Sequence, residues 1–159
     1  MNFATADLYD DNMDRVQVAL PGFRDYGGRK SFCGPVVTLK VFEDNTLVRD
    51  TLEQDGGGRV LVVDGGGSLR CALLGDNLAQ LGKDNGWSGI VVYGCIRDSA
   101  VIAGIDIGVK ALDTNPAKSE KRGEGRRDVT LRFAGLVLEP GTYLYADEDG
   151  MLISDGALL

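Results

Sequence analysis

Apolar positions in this chain come in short runs separated by glycines, and the spacing inside each run predicts its element. From Thr5 to Met13 a capping threonine precedes an amphipathic acidic stretch, which predicts a short helix. Phe32 to Phe42 (FCGPVVTLKVF) favours extended chain through Val36, Val37, Leu39 and Val41. Asn45 to Gln54 returns to helical spacing, with Leu47, Val48 and Leu52 on one side. Arg59 to Asp64 (RVLVVD) is a continuous apolar run of strand length, followed by Gly65, Gly66 and Gly67. Asp76 to Lys83 opens another helix with Leu78 and Leu81 facing a core, and Gly89 to Gly94 (GIVVYG) reads as a second buried strand. Ile107–Leu112, Val129–Phe133, Gly135–Leu138, Thr142–Ala146 and Met151–Ser154 read as further strands, with turns such as Asp149-Gly150.

Strand, crossover helix and second apolar strand make a central βαβ unit with parallel pairing, so the fold class is α/β and β-rich. In such a unit ligands sit at the carboxyl ends of the strands, beside helix N-termini. Two segments occupy that position. The first is the glycine loop Asp64–Arg70, continuing to Gly75, Asp76, Asn77 and Leu78 at a helix start. The second is Gly94-Cys95-Ile96-Arg97-Asp98, directly after GIVVYG. Adjacent strands predict that the two lie side by side. Taken singly, the glycine run also reads as a plain turn, and Asp76 also reads as a helix-opening residue. Arg-Asp recurs at Arg24-Asp25, Arg49-Asp50 and Arg127-Asp128, but only Arg97-Asp98 follows a glycine-bounded apolar strand.

Composition narrows the chemistry. The 159 residues suit a single domain spanning 1–159. Histidine is absent, which removes Ser-His-Asp and Cys-His catalysis and a His-ligated zinc site. Cys33, Cys71 and Cys95 form no CxxC pair and predict reduced, mostly buried thiols. A formal net charge of -7 argues against a nucleic-acid surface. The basic stretch Lys118–Arg127 is interrupted by Glu120 and Glu124 and reads as a solvated loop. The acidic N-terminal segment is unlike a signal peptide, and no run approaches the roughly 18–20 apolar residues of a membrane span, so a cytoplasmic protein is expected.

Asp98 as a direct ligand, with Asp76 acting through water, suits a hydrated magnesium or manganese ion, which takes one or two protein carboxylates. Arg97 offers a planar fork for a carboxylate. These parts would hold an α-keto acid and stabilise the enolate formed when a carbon–carbon bond breaks. A Schiff-base route through Lys40, Lys83 or Lys110 is a poorer match, since none is placed at a strand's ligand end.

At this point the chain resembles the 4-hydroxy-4-methyl-2-oxoglutarate aldolases, which share a fold with the "regulator of ribonuclease activity A" (RraA-like) proteins. The resemblance is carried by Phe32–Asn45, Val60–Ala79 (VLVVDGGGSLRCALLGDNLA), Trp87–Asp98 (WSGIVVYGCIRD), Ile105–Ser119 and Tyr145–Gly150. It implies a swivelling β/β/α domain assembled as a homotrimer. The aldolase pattern is an Asp, twenty residues, then Arg-Asp, met here by Asp76 and Arg97-Asp98, whereas the resembling regulators lack the acid after the arginine. Carried over, Gly75, Asp76, Asn77 and Leu78 line the substrate site, Arg97 binds substrate and acts with Asp76 in catalysis, and Asp98 binds the divalent metal (Mg2+ or Mn2+). Some family motifs add an acid about three positions later, where this chain has Ser99, Ala100 and Val101. The aldolases are also expected to borrow an acid from a neighbouring subunit, which the sequence does not assign. The implied reaction is cleavage of 4-hydroxy-4-methyl-2-oxoglutarate to two pyruvates, with oxaloacetate decarboxylation as a side reaction. The alternative implied role is a non-catalytic protein that binds and inhibits ribonuclease E.

Overall fold

The computed structural model describes residues 2–159. Helix α1 (Thr5–Asp11) and the short strands β1 (Val16–Val18) and β2 (Arg24–Asp25) lead into the long strand β3 (Phe32–Lys40). Helix α2 (Thr46–Leu52) returns the chain to β4 (Val60–Asp64), and the glycine loop leads to β5 (Ala72–Leu74). Helix α3 (Asp76–Asp84) precedes β6 (Gly89–Ile96), and the single turn α4 (Ser99–Ile102) precedes β7 (Gly108–Thr114). Only strands follow: β8 (Arg126–Arg127), β9 (Leu131–Phe133), β10 (Leu136–Leu138), β11 (Tyr143–Asp147) and β12 (Gly150–Ser154).

The strand order is β1-β12-β11-β3-β4-β6-β7-β2. Its middle, β3-β4-β6-β7, is parallel, and the flanking strands pair antiparallel. The expected βαβ unit is present, with β4 beside β6 from Val60↔Gly89 to Asp64↔Tyr93. Every residue of β4 is buried, because both faces of the sheet are covered. Leu61 and Val63 pack with Leu47, Leu52, Leu78 and Ile102 from α2, α3 and α4. Val60 and Val62 face the opposite way, against Leu131 and Phe133 of β9, Leu136 and Leu138 of β10, and Leu144 of β11. The result is a helical layer, a sheet and a second β layer, as the α/β, β/β/α expectation requires. Truncating a fully buried leucine such as Leu52 to alanine would cost about 2–5 kcal/mol.

Several short elements carry no sequence pattern of their own. Strands β1, β2, β5 and β8 have two or three residues each, too few for a period to register. The predicted cap at Thr5 is also corrected: Ala4 holds that position. The Thr5 N–H and hydroxyl instead donate to the Asp147 carboxylate, both at 2.7 Å. No helix among the described residues is long and apolar enough to cross a membrane.

Candidate active site

β5 is what brings the two predicted segments together. It pairs parallel with the end of β6, Ala72↔Cys95 and Leu74↔Ile96, taking over where β4 leaves off. The Arg97 N–H donates to the Leu74 carbonyl at 2.9 Å, so the residues after each strand emerge side by side. After β5 comes Gly75, which holds the cap position of α3, with Asp76, Asn77 and Leu78 in the first turn. After β6 come Arg97 and Asp98, both exposed.

Asp98 turns the chain into α4 with φ 57 and ψ 38, a left-handed conformation that aspartate tolerates better than most residues. Glu43, Asp128 and Ala134 share positive φ, so the conformation alone does not mark a site. Position does: Asp98 Oδ2 accepts the Asp76 N–H at 3.2 Å, placing its charge at the positive end of α3. Asp76 Oδ1 accepts the Asn77 N–H at 2.8 Å. Arg97 Nη1 lies 3.5 Å from the Pro116 carbonyl, a marginal contact that leaves the guanidinium available. Leu78 is buried and points into the helical core, so it can serve the site only through its backbone.

These residues line one polar cavity of about 80 Å³ together with Asn45, Arg49, Lys118, Ser119 and Lys121. The last five were not legible as site residues. Lys118 and Lys121 belong to the basic stretch expected to be a solvated loop; it is exposed as expected, Ser119 apart, and it is also held in place beside the site. The buried Asp44 carboxylate accepts the Thr46 N–H and hydroxyl at 3.0 and 2.7 Å. It also takes the Arg122 and Glu124 N–H groups, at 2.8 and 3.1 Å. Burial pushes the Asp44 carboxyl up, but these hydrogen bonds outweigh it and lower its pKa to about 2. Ser119, also buried, donates to Asn45 Oδ1 at 2.9 Å. The loop is therefore fastened beside the site at two points.

The glycine run does not reach the cavity. Gly65 and Gly67 donate their N–H groups to the Tyr93 carbonyl, and Ser68 and Arg70 bond to Glu43. It is a turn folded over β6. The other lysines considered for covalent chemistry also lie elsewhere: Lys110 is buried against Asp25 at 2.9 Å, and Lys40 is 3.8 Å from Asp64. Lys83 lines a separate cavity with Trp87 and Arg29. All three cysteines are free, and burial raises each thiol's pKa, so none is primed as a thiolate.

Asp98 and Asp76 are the carboxylates available for a cation, and no cluster of three or more His, Cys, Asp or Glu occurs among the described residues. One or two carboxylates beside open water is a donor set that fits a hydrated magnesium-type ion.

Comparison with known proteins places the chain. A family profile described as RraA-like (Aldolase/RraA) matches residues 5–153. A protein of Alkalilimnicola ehrlichii named "Putative 4-hydroxy-4-methyl-2-oxoglutarate aldolase" is 60% identical over 159 residues, covering 100% of this chain and 99% of the relative. Among solved structures, the "RNA-processing inhibitor RraA from Thermus thermophilis" is 46% identical with a TM-score of 0.96, covering 100% of this chain and 96% of that one. A Geobacillus kaustophilus protein described as S-adenosylmethionine: 2-dimethylmenaquinone methyltransferase is 52% identical with a TM-score of 0.96, covering 98% and 97%. One fold thus carries three different activity names, and side chains must decide among them.

Proposed function

This chain belongs to the RraA-like family, and we propose that it is a divalent-metal-dependent lyase that cleaves 4-hydroxy-4-methyl-2-oxoglutarate to two pyruvates. The observation that carries the reading is the contact between Asp76 and Asp98, with Arg97 beside them, at the ligand ends of β5 and β6. The aldolase name of a 60% identical relative supports it.

Cleavage requires the C4 hydroxyl to lose its proton. The C3–C4 bond then breaks, its electron pair moves toward the C2 carbonyl oxygen, and C3 gains a proton. Asp98, with Asp76 behind a water, would hold the cation, which supplies a Lewis acid for the charge developing on that oxygen. Arg97 binds the carboxylate next to the keto group through its planar fork and fixes the bond to be broken. Asp76 has one oxygen engaged by Asn77 N–H, which leaves the other to hold a water or a proton. The Gly75–Leu78 turn frames the substrate with backbone and with the exposed Asn77 side chain. Oxaloacetate decarboxylation would follow from the same arrangement, since loss of carbon dioxide yields the same pyruvate enolate. A homotrimer with the site at a subunit boundary completes the proposal, because one chain supplies only two acids here.

The test is pyruvate release from several keto acids with and without a chelator. Chelator-sensitive release supports the reading, and no release from any keto acid overturns it. The second reading, inhibition of ribonuclease E, is favoured by the 46% identical RNA-processing inhibitor. Ribonuclease E binding in a protein without keto-acid turnover would establish it.

A further inference from the structure

Building on the aldolase reading, we propose that Asn115, which lies outside the cavity, is a positioning residue that holds the Arg97 guanidinium ready for the keto-acid carboxylate.

Arg97 follows a strand that ends between two neighbours. The end of β6 has β5 on one side and β7 on the other, with Leu74↔Ile96 and Ile96↔Thr114 in register. The peptide joining Ile96 to Arg97 is held from both sides. Its N–H donates to the Leu74 carbonyl at 2.9 Å, and its carbonyl accepts the Asn115 N–H at 3.0 Å. The backbone entering Arg97 is therefore fixed, but the long side chain is exposed and keeps its rotamer freedom. Its one hydrogen-bonding contact among the described residues is the Pro116 carbonyl, 3.5 Å from Nη1. Contacts of that length in a free site commonly tighten only when substrate is bound. The Pro116 oxygen is thus the group that can steer the fork, and the Asn115 side chain sets where it points.

Both ends of the Asn115 amide are occupied. Oδ1 accepts the Ala117 N–H at 2.9 Å, closing a turn around Pro116, and Nδ2 donates to the Leu69 carbonyl at 2.7 Å. Proline fixes its own φ and confines the residue before it to extended backbone, so the turn has few other shapes. Its far side is tied as well, because the Ala117 carbonyl accepts the Ala72 N–H of β5 at 2.8 Å. Leu69 stands between Ser68 and Arg70, which both bond to the Glu43 carboxylate. The glycine loop stays out of the cavity yet serves it here, as the fixed point from which Asn115 keeps the Pro116 carbonyl against Arg97. An arginine restrained before substrate arrives loses less freedom on binding.

The experiment is a double-mutant cycle on the full chain. It is read by calorimetry with pyruvate in the presence of magnesium, and by kcat and KM for pyruvate release. Wild type, N115A, N115S, R97K and R97K/N115A are compared. Asn115→Ala removes both side-chain bonds and leaves the backbone bond to Ile96 in place. Pyruvate should bind it about tenfold more weakly, with KM raised by a similar factor. Asn115→Ser keeps an oxygen that can accept the Ala117 N–H but is too short to reach Leu69. It should recover part of the loss, and it carries the cycle if the alanine variant does not fold. In the Arg97→Lys background the fork is already gone, so Asn115→Ala should change affinity by less than about twofold. Manganese binding without keto acid should also stay within about twofold, since neither Asp98 nor Asp76 bonds to Asn115 or Pro116. General loosening of the fold would lower all of these together. Wild-type pyruvate affinity in the Asn115 variants, multiplicative losses in the double variant, manganese loss matching the pyruvate loss, or a wild type that binds no pyruvate overturns the role. A coupled cycle in a protein that cleaves no keto acid would leave the role of Asn115 standing and remove the aldolase reading. Cleavage with an uncoupled cycle would do the reverse.

Discussion

The Asp98 carboxylate accepts the Asp76 backbone N–H at 3.2 Å, and this bond ties the end of β6 to the first turn of α3. Oδ2 is engaged, while Oδ1 has no hydrogen-bond partner among the described residues and is free to face the cavity. The backbone of α3 thus fixes the orientation of an exposed acid that would otherwise rotate freely. Preset charge of this kind needs no rearrangement at the moment of reaction.

Gly75 keeps that geometry open. A Cβ at position 75 would lie 2.8 Å from Asp98 Oδ2 and 3.6 Å from Arg97 Nε. The backbone there, φ -123 and ψ -172, accepts alanine without strain, so the contact is with the functional groups alone. Asp98 can swing away, which spares the fold but displaces the carboxylate. Gly75→Ala should therefore lower kcat by about 10–100-fold. Its melting temperature should stay within a few degrees of the wild type. A wild-type kcat in this variant would mean that the position of Asp98 Oδ2 has no bearing on turnover.

Asp44 gives the loop a pH dependence. Its folded pKa of about 2 lies below the ordinary carboxyl value of 3.8. The ionised form is therefore the one stabilised by folding. That stability is complete above the unfolded value and disappears as pH falls from about 4 toward 2. Asp44→Asn should cost about 1–3 kcal/mol at neutral pH, since an amide cannot accept all four hydrogen bonds. It should also flatten the acid limb of the stability curve below about pH 4. Trypsin should cut faster between Lys118 and Arg127, as the Arg122 and Glu124 tethers go slack. Unchanged proteolysis would show that Asp44 does not fasten the loop.

What the sequence disclosed and what it concealed divide along physical lines. RVLVVD and GIVVYG are legible because strands buried on both faces read as near-continuous apolar runs, and β4 is buried at every position and β6 at all but Tyr93. The nearness of Asp76 to Arg97-Asp98 is expected from the parallel pairing of β4 with β6, but the structure brings it about through β5. β6 runs two residues past GIVVYG, to Ile96, because β5 supplies it with a partner that no three-residue pattern announces. The segment that carries Lys118 and Lys121 to the cavity lining is tethered by Asp44, which reaches Arg122 and Glu124 across 78 and 80 residues of chain. Contacts at that separation leave no local trace. A basic run held by a distant acid looks in sequence like any solvated loop.

Metal dependence and lysine chemistry are separable by two treatments of one preparation. Lys110 is buried and paired with Asp25, and neither Lys40 nor Lys83 lines the cavity. Lys118 and Lys121 do line it but are exposed, which suits charge rather than covalent catalysis. Chelation should abolish pyruvate release, and magnesium or manganese should restore it. Borohydride added with pyruvate should leave the rate intact, because no imine is present to reduce. Full activity in excess chelator, or inactivation by borohydride, would sink the metal mechanism.

Asp98 and Arg97 should fail in different ways, and the chain contains its own control. Asp98→Asn keeps the size of the side chain, an oxygen for the Asp76 N–H and a residue at home in left-handed backbone, while removing the charge. The rate should fall by about 100-fold or more with a weakened response to magnesium, because the cation loses its ligand. Arg97→Lys retains the charge but loses the two-pronged fork, so cleavage should suffer even at saturating metal. Arg127-Asp128 repeats the dipeptide with the same left-handed aspartate, φ 57, far from the cavity lining. Arg127 meets only Asp50, at 3.2 Å in an exposed pair, and such pairs contribute about 0–1 kcal/mol. Arg127→Lys and Asp128→Asn should therefore leave turnover near wild type. The residue types and the aspartate φ are matched between the two dipeptides, which differ in their placement beside α3. If Asp98→Asn keeps wild-type aldolase and decarboxylase rates while Asp128→Asn is equally silent, placement carries no function and the site lies elsewhere.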